Sequence, residues 1–177
     1  MKLTFISTAA VKGRTAEYAF VESPFGSTLL AVCEGAICYM NFPRNRADGL
    51  AALKRYWKGG TLTPAKDGLK ALGKKIFSGE RESLSLLLAG TPFQHQVWKA
   101  LSNVPEGKTV SYGELAAKAG KPGAARAVGG AVGANPVVYL LACHRILASD
   151  GSLNGFGCGL PLKQKLLTAE GHGKLAA

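Results

Sequence analysis

Between Ser111 and Ala134 the chain carries two helical segments joined by a turn too short to let them separate, and this pair constrains the fold more than any other stretch. Ser111-Tyr112-Gly113-Glu114 is a capping box, in which hydroxyl and carboxylate each satisfy a backbone donor left orphaned by the first helical turn. It predicts a helix through Ala119, stopped by Gly120-Lys121-Pro122-Gly123. A second helix follows from Ala124 to Ala134, giving the length and spacing of a helix-turn-helix.

The second helix is nearly bare: Ala124-Ala125-Arg126-Ala127-Val128-Gly129-Gly130-Ala131. Small side chains let a backbone approach a narrow minor groove, whereas major-groove reading calls for Asn, Gln and Arg side chains that reach base edges. Arg126 is the one long exception. A cation in the first turn opposes the helix dipole by about 0.3–1 kcal/mol, so it is either solvated or meets something anionic or stacked. A close-packed Ala/Gly helix with a surface arginine has the same composition.

Lys and Arg number 22 against 11 Asp and Glu, a formal charge of +11. Such an excess favours polyanions, because each phosphate neutralised releases counterions from a nucleic acid; a basic but indifferent surface is the alternative. With 177 residues, 47% of them hydrophobic, the chain is able to bury one good core or two small ones. No apolar run approaches the roughly 20 residues a bilayer needs, and Lys12 and Arg14 follow Met1–Ala10 before a signal core develops. A soluble cytoplasmic protein, nucleoid-associated if bacterial, is expected. Four cysteines allow two disulfides, but a chain of this size needs no staples, so reduced thiols are expected.

To about residue 45 the chain alternates β-type runs (Tyr18–Val21, Thr28–Val32, Ile37–Phe42) with turn residues, which predicts a small antiparallel meander. Helices over Ala47–Trp57 and Leu69–Phe77 and a strand over Leu84–Leu88 complete an α/β domain spanning residues 1–89. Near Gly90-Thr91-Pro92, Thr91 is placed to cap a helix that starts at Pro92, so a second, mainly helical domain covers 90–177.

The chemistry concentrates in Asn135-Pro136-Val137-Val138-Tyr139-Leu140-Leu141-Ala142-Cys143-His144-Arg145-Ile146, an extended apolar run that ends in a thiol followed by an imidazole. A cysteine nucleophile must be a thiolate, and a histidine that takes its proton supplies one if a third group stabilises the imidazolium. The alternative is a buried strand end. The C-terminal helix, Pro161–Glu170, ends in a carboxylate where the dipole disfavours one, so a cationic partner is expected: Lys174, or His144 once protonated.

TPFQHQVWKAL, GKTVSYGELAAKAG, AARAVGGAVGANP, CHRI, the Gly151–Leu160 loop and LLTAEG stand in order from Thr91 to Gly171. In these the chain resembles the O6-alkylguanine-DNA alkyltransferases, also called methylated-DNA protein-cysteine methyltransferases. Residues 1–89 resemble the family more loosely, through YAFVESPFGSTLLAV. The resemblance implies a ribonuclease H-like α/β domain with a small antiparallel sheet, and a helical domain with a winged helix-turn-helix. It implies single-turnover transfer of an alkyl group from O6-alkylguanine, and O4-alkylthymine, in double-stranded DNA to the protein's own cysteine, with no cofactor and a monomer in solution; that no metal and no membrane are involved is expected from the residues themselves.

By the same resemblance Cys143 would accept the alkyl group, His144 would act as base through a water, Glu170 would hold His144 and Asn135 would brace the turn. Tyr112 would hydrogen-bond the leaving guanine and help rotate its 3′ phosphate, and Arg126 would fill the gap left by the flipped nucleotide. Flipping is needed because the alkyl carbon is unreachable inside the stack. Ile146 and the backbone beside it would accept from the guanine amine, Phe156, Gly157 and Cys158 would wall the pocket, and Lys163 would order it. Ala124, Ala125, Ala127 and Gly129 would lie along the DNA, with Ser111, Ser149 and Gln94 as phosphate contacts. Ala142 replaces the usual proline, Phe156 the usual tyrosine, and Gly157-Cys158 alter the substrate loop. Cys33 and Cys38 could pair or bind a metal, as some family members hold a structural zinc in the first domain, but they read first as strand cysteines, because a structural zinc wants four ligands. Two other classes remain open: a DNA-binding protein whose Cys143 is inert, and a Cys-His-Glu hydrolase that turns over.

Overall fold

The computed structural model describes residues 1–176. The chain divides into two compact units, Met1–Thr91 and the residues from Pro92 onward.

The first unit runs β1 (Lys2–Ser7), β2 (Thr15–Val21), β3 (Thr28–Cys33), β4 (Ala36–Asn41), α1 (Arg46–Tyr56), β5 (Thr61–Pro64), α2 (Lys70–Phe77) and β6 (Ser85–Gly90). The strands form one sheet in the order β1-β6-β4-β3-β2-β5. β2, β3 and β4 make the antiparallel meander that their alternating pattern predicts. Glu34 and Gly35, the two residues between β3 and β4, both adopt positive φ (52° and 77°), the twist a two-residue hairpin turn needs.

The sheet as a whole is mixed, which corrects the expectation of an antiparallel one. β1 and β4 both pair parallel to β6, and β2 pairs parallel to β5. β6 is covered on both faces, so it reads as a continuous apolar run, SLLLAG, with every residue after Ser85 buried. β1 and β5 escaped the sequence reading because they are short edge strands of mostly partial burial. Leu53 and Trp57 are buried with Leu29, Ala31, Tyr39 and Leu87 in this unit's core, and the Tyr56 hydroxyl accepts from the Ala89 amide at 2.9 Å. Those contacts clamp α1 to the sheet.

The second unit contains α3 (Pro92–Ser102), β7 (Val110–Ser111), α4 (Tyr112–Lys118), α5 (Ala125–Gly133), a 3-10 turn (Cys143–Arg145), β8 (Ile146–Leu147) and α6 (Leu160–Ala169). The capping box at the start of α4 is formed: the Ser111 hydroxyl accepts from the Glu114 amide at 3.2 Å and the Glu114 carboxylate accepts from the Ser111 amide at 2.6 Å. Trp98 donates from its indole nitrogen to the Ala131 carbonyl at 2.9 Å, which ties α3 to α5. β7 and β8 pair parallel and bring the start of α4 beside the turn that carries Cys143.

Candidate functional site

The apolar run before Cys143, extended in the sequence reading, is neither extended nor the buried strand end offered as its alternative. It folds back through successive turns: the Leu141 amide donates to the Val137 carbonyl at 3.0 Å, Cys143 to Leu141 at 2.7 Å and Arg145 to Ala142 at 3.0 Å. Val137, Val138, Leu140 and Leu141 are all buried, so no alternation marks a solvent side. Asn135 spans the bend. Its side-chain nitrogen donates to the Leu141 carbonyl at 2.8 Å and its oxygen accepts from the Val137 amide at 2.9 Å, a bracket that fixes both ends of the turn.

Cys143 is 5% exposed. Burial pushes its thiol up to about 12, against the hydrogen bond to Asn135 and the charge of Lys163, while Cys158 adds to the rise. The resting group is therefore a protonated thiol. Beside it His144 is wholly buried, with Nε2 2.8 Å from Oε1 of Glu170, the residue that ends α6. With Nε2 so engaged, Nδ1 is the ring nitrogen that can take up a proton.

Glu170 has a second partner that the sequence reading missed. Arg145 donates from Nε to Oε2 at 2.9 Å and from Nη2 to Oε1 at 2.7 Å, a forked pairing, and its Nη1 donates to the Val104 carbonyl at 2.6 Å. Burial alone would raise the Glu170 carboxyl, but the hydrogen bonds and charges of His144 and Arg145 outweigh it and hold the group at about 2. The cation that meets this helix end is thus Arg145, with the His144 imidazole bonded to the same carboxylate, and not Lys174. Arg145 stands next to His144 in the CHRI motif; only the three-dimensional turn shows that it faces the same carboxylate.

Lys163 is fully buried and donates to the carbonyls of Ile146 at 2.6 Å and Asn154 at 2.7 Å, tying α6 to β8 and to the Gly151–Leu160 loop. Burial lowers its ammonium to about 8, with the neighbouring Cys143 opposing the shift. Tyr112, the first residue of α4, is half-buried, and its phenol is raised by burial and then by Cys143. Phe156 and Cys158 are half-buried and Gly157 exposed, in a loop whose Gly159 amide donates back to the Phe156 carbonyl at 2.8 Å. Cys143, His144, Glu170, Asn135 and Lys163 form one connected constellation.

On α5, Val128, Ala131 and Val132 are buried, whereas Arg126, Ala127, Gly130 and Gly133 are exposed and Ala124, Ala125 and Gly129 half-buried. A Cβ on Gly129 would meet the Tyr112 ring at 3.6 Å; on Gly130 or Gly133 it would meet nothing within 4 Å. The fold has no use for those two glycines, each of which costs a helix interior about 1 kcal/mol relative to alanine. Ser111 is committed to Glu114, Ser149 is exposed, and Gln94 is half-buried in the first turn of α3. Cys33 and Cys38 are buried in the sheet, and among the described residues no three His, Cys, Asp or Glu side chains cluster to hold a metal. No described helix is long and apolar enough to cross a membrane.

The family profile described as 6-O-methylguanine DNA methyltransferase, DNA binding domain, matches residues 92–172. A methylated-DNA protein-cysteine methyltransferase of Methanosarcina acetivorans is 36% identical over 159 residues, covering 87% of this chain and 97% of its own. The crystal structure of Mycobacterium tuberculosis O6-methylguanine methyltransferase superposes with a TM-score of 0.71 at 34% identity, covering 88% of this chain and 92% of that one. The complex of the Mycobacterium tuberculosis protein with DNA gives 0.71 at 35% identity, over 87% and 92%.

Proposed function

The chain belongs to the methylated-DNA protein-cysteine methyltransferase family, and from that premise we propose that Cys143 accepts the alkyl group of O6-alkylguanine in double-stranded DNA, once per molecule. The observation that carries this reading is the relay behind the thiol, in which His144 Nε2 lies 2.8 Å from a Glu170 carboxylate held ionised.

A thiol at about 12 does not ionise unaided. His144 takes its proton, directly or through a water, and Glu170 offsets the imidazolium that forms. The thiolate attacks the alkyl carbon: a sulfur–carbon bond forms, the carbon–O6 bond breaks with its electron pair on guanine, and a hydrogen bond from Tyr112 stabilises that leaving group. Asn135 and Lys163 hold the turn and the opposite loop in place, and the carbonyls near Cys143 and Ile146 accept from the guanine amine. The S-alkyl thioether is no leaving group for His144, so the reaction stops after one event. O4-alkylthymine presents the same alkyl–oxygen bond and is expected to react.

On the DNA side, α4 and α5 dock in the minor groove with the bare face of α5 against the duplex, and Arg126 occupies the space of the flipped nucleotide. Ala124, Ala125, Ala127 and Gly129 line that face. Ser149 and Gln94 are candidate phosphate contacts; Ser111 is the weaker one, since the Glu114 carboxylate beside it repels phosphate. In finer fold vocabulary residues 1–89 are ribonuclease H-like and those from 90 onward form a winged helix-turn-helix domain. The protein is expected to act as a monomer, in the cytoplasm.

Intact-protein mass spectrometry after incubation with methylated duplex tests the proposal. One methyl increment, mapped to Cys143 and absent from Cys143→Ser, is the expected result. Repeated turnover, or methylation elsewhere with Cys143 unmodified, would overturn it.

A further inference from the structure

Three non-glycine residues, Glu34, Leu69 and Tyr139, have positive φ among those described, and only Tyr139, at 81°, lies in the turn leading to Cys143. An aromatic side chain gains nothing locally from that conformation, which persists where the surroundings hold it and concentrates at functional sites. Here Tyr139 is flanked by the buried residues Val138 and Leu140. Its half-buried ring lies alongside the His144 imidazole, with centroids 6.4 Å apart and planes within 17°.

The charges around His144 give that stacking a purpose. Glu170 and Arg145 face the imidazole at its Nε2 side, with Glu106 3.7 Å from Arg145 at the rim. Lys163, Tyr112 and Cys158 lie close enough to Cys143, the residue before His144, to interact with it electrostatically. The Glu170 carboxylate is already matched by the Arg145 guanidinium. When His144 gains the thiol proton, a single buried carboxylate must serve two cations, and the neighbouring electron-rich Tyr139 ring is a further source of stabilisation.

We propose that Tyr139 is a positioning residue for the reaction: its ring fixes the plane of the His144 imidazole toward Glu170 and stabilises the imidazolium formed when Cys143 is deprotonated. This rests on the reading of Cys143 and His144 as nucleophile and base. The strained backbone is what brings the ring into place.

The test uses alkylation of Cys143 by iodoacetamide, followed by intact mass and peptide mapping across about pH 5 to 9, so it needs neither DNA nor alkylated guanine. A protein that fails to take methyl from DNA but shows the behaviour below would refute the proposed function and leave Tyr139 its role. Tyr139→Phe keeps the ring and should match the parent. Tyr139→Leu keeps bulk without a ring and should lower the plateau rate about 2- to 5-fold, the lower range for cation–ring contacts. Because the loss comes through the basicity of His144, the acid limb should move to lower pH by about 0.3 to 0.7 unit, the same factor on a logarithmic scale, and the rates should converge in acid. Tyr139→Gly, which relieves the backbone, should melt no earlier than Tyr139→Leu and show the same displaced limb. An unchanged rate in Tyr139→Leu, a lowered plateau with the limb unmoved, or a Tyr139→Phe as slow as Tyr139→Leu would each overturn the inference.

Discussion

Near neutral pH the Cys143 thiol keeps its proton, since burial raises it to about 12, and any reactivity must be delivered by the groups behind it. Glu170 bears most of that burden because His144 and Arg145 converge on it. Glu170→Gln should leave the Arg145 guanidinium, itself 5% exposed, without its buried counter-charge, with only the exposed Glu106 carboxylate 3.7 Å away. Breaking such a pair from one side costs about 3–5 kcal/mol, measurable by urea unfolding, and Cys143 alkylation should slow in whatever fraction stays folded. The carboxyl's ordinary value is 4.5 and it titrates at about 2 in the fold, so its stabilisation is complete above the first value and is lost as pH falls through the second. The parent should therefore lose about 3 kcal/mol more than Glu170→Gln between those two pH values. An equal acid sensitivity of the two proteins would refute this account of the cluster. That Glu170 needs a cation was readable from its position at a helix end. Which cation answers was not, because Arg145 reaches it only through the turn at Cys143.

α4 and α5 were readable as elements because their signals are local: a capping box, a glycine-proline stop and a run of small residues. β2 to β4 were readable for the same reason, through alternation and turns. The parallel edge strands were not, since parallel pairing depends on which distant strand offers a free edge and leaves no mark in a short segment. The turns before Cys143 read only as an extended apolar run because burial on all sides erases the period that separates strand from loop. For α5 the sequence and the structure jointly support a use outside the fold. Gly130→Leu should stabilise the unit by about 0.5–1 kcal/mol, as a good helix former replaces glycine where nothing crowds it. The same change should weaken binding to duplex DNA at least about tenfold, the sign opposite to its effect on stability, because a minor groove of about 6 Å leaves no room for an isobutyl group. Unchanged affinity in a fluorescence-anisotropy titration would show that α5 does not face the duplex.

The whole chain carries a formal charge of +11, and its helix pair offers few side chains for reading bases. Affinity should accordingly come from phosphates: with about six contacts, binding should fall about 10^3-fold between 50 and 200 mM salt, with little dependence on sequence. A shallow salt slope would count against a phosphate-dominated interface. Composition alone made the charge legible, whereas β6 continues through Gly90 and the compact units divide after Thr91. The polypeptide after Gly171 offered no pattern to read, yet it is tied down. The Ala176 carbonyl accepts from the Leu153 amide at 2.7 Å, Gln164 bonds to both Gly173 and Leu175, and Leu175 packs with Leu147, Leu153 and Leu167. That segment straps down the root of the same loop that presents Phe156 and Cys158. Trimming it with a carboxypeptidase would loosen the pocket wall from behind, so the integrity of the tail is a hidden variable in any preparation whose reactivity toward bulky alkyl groups is compared with another's.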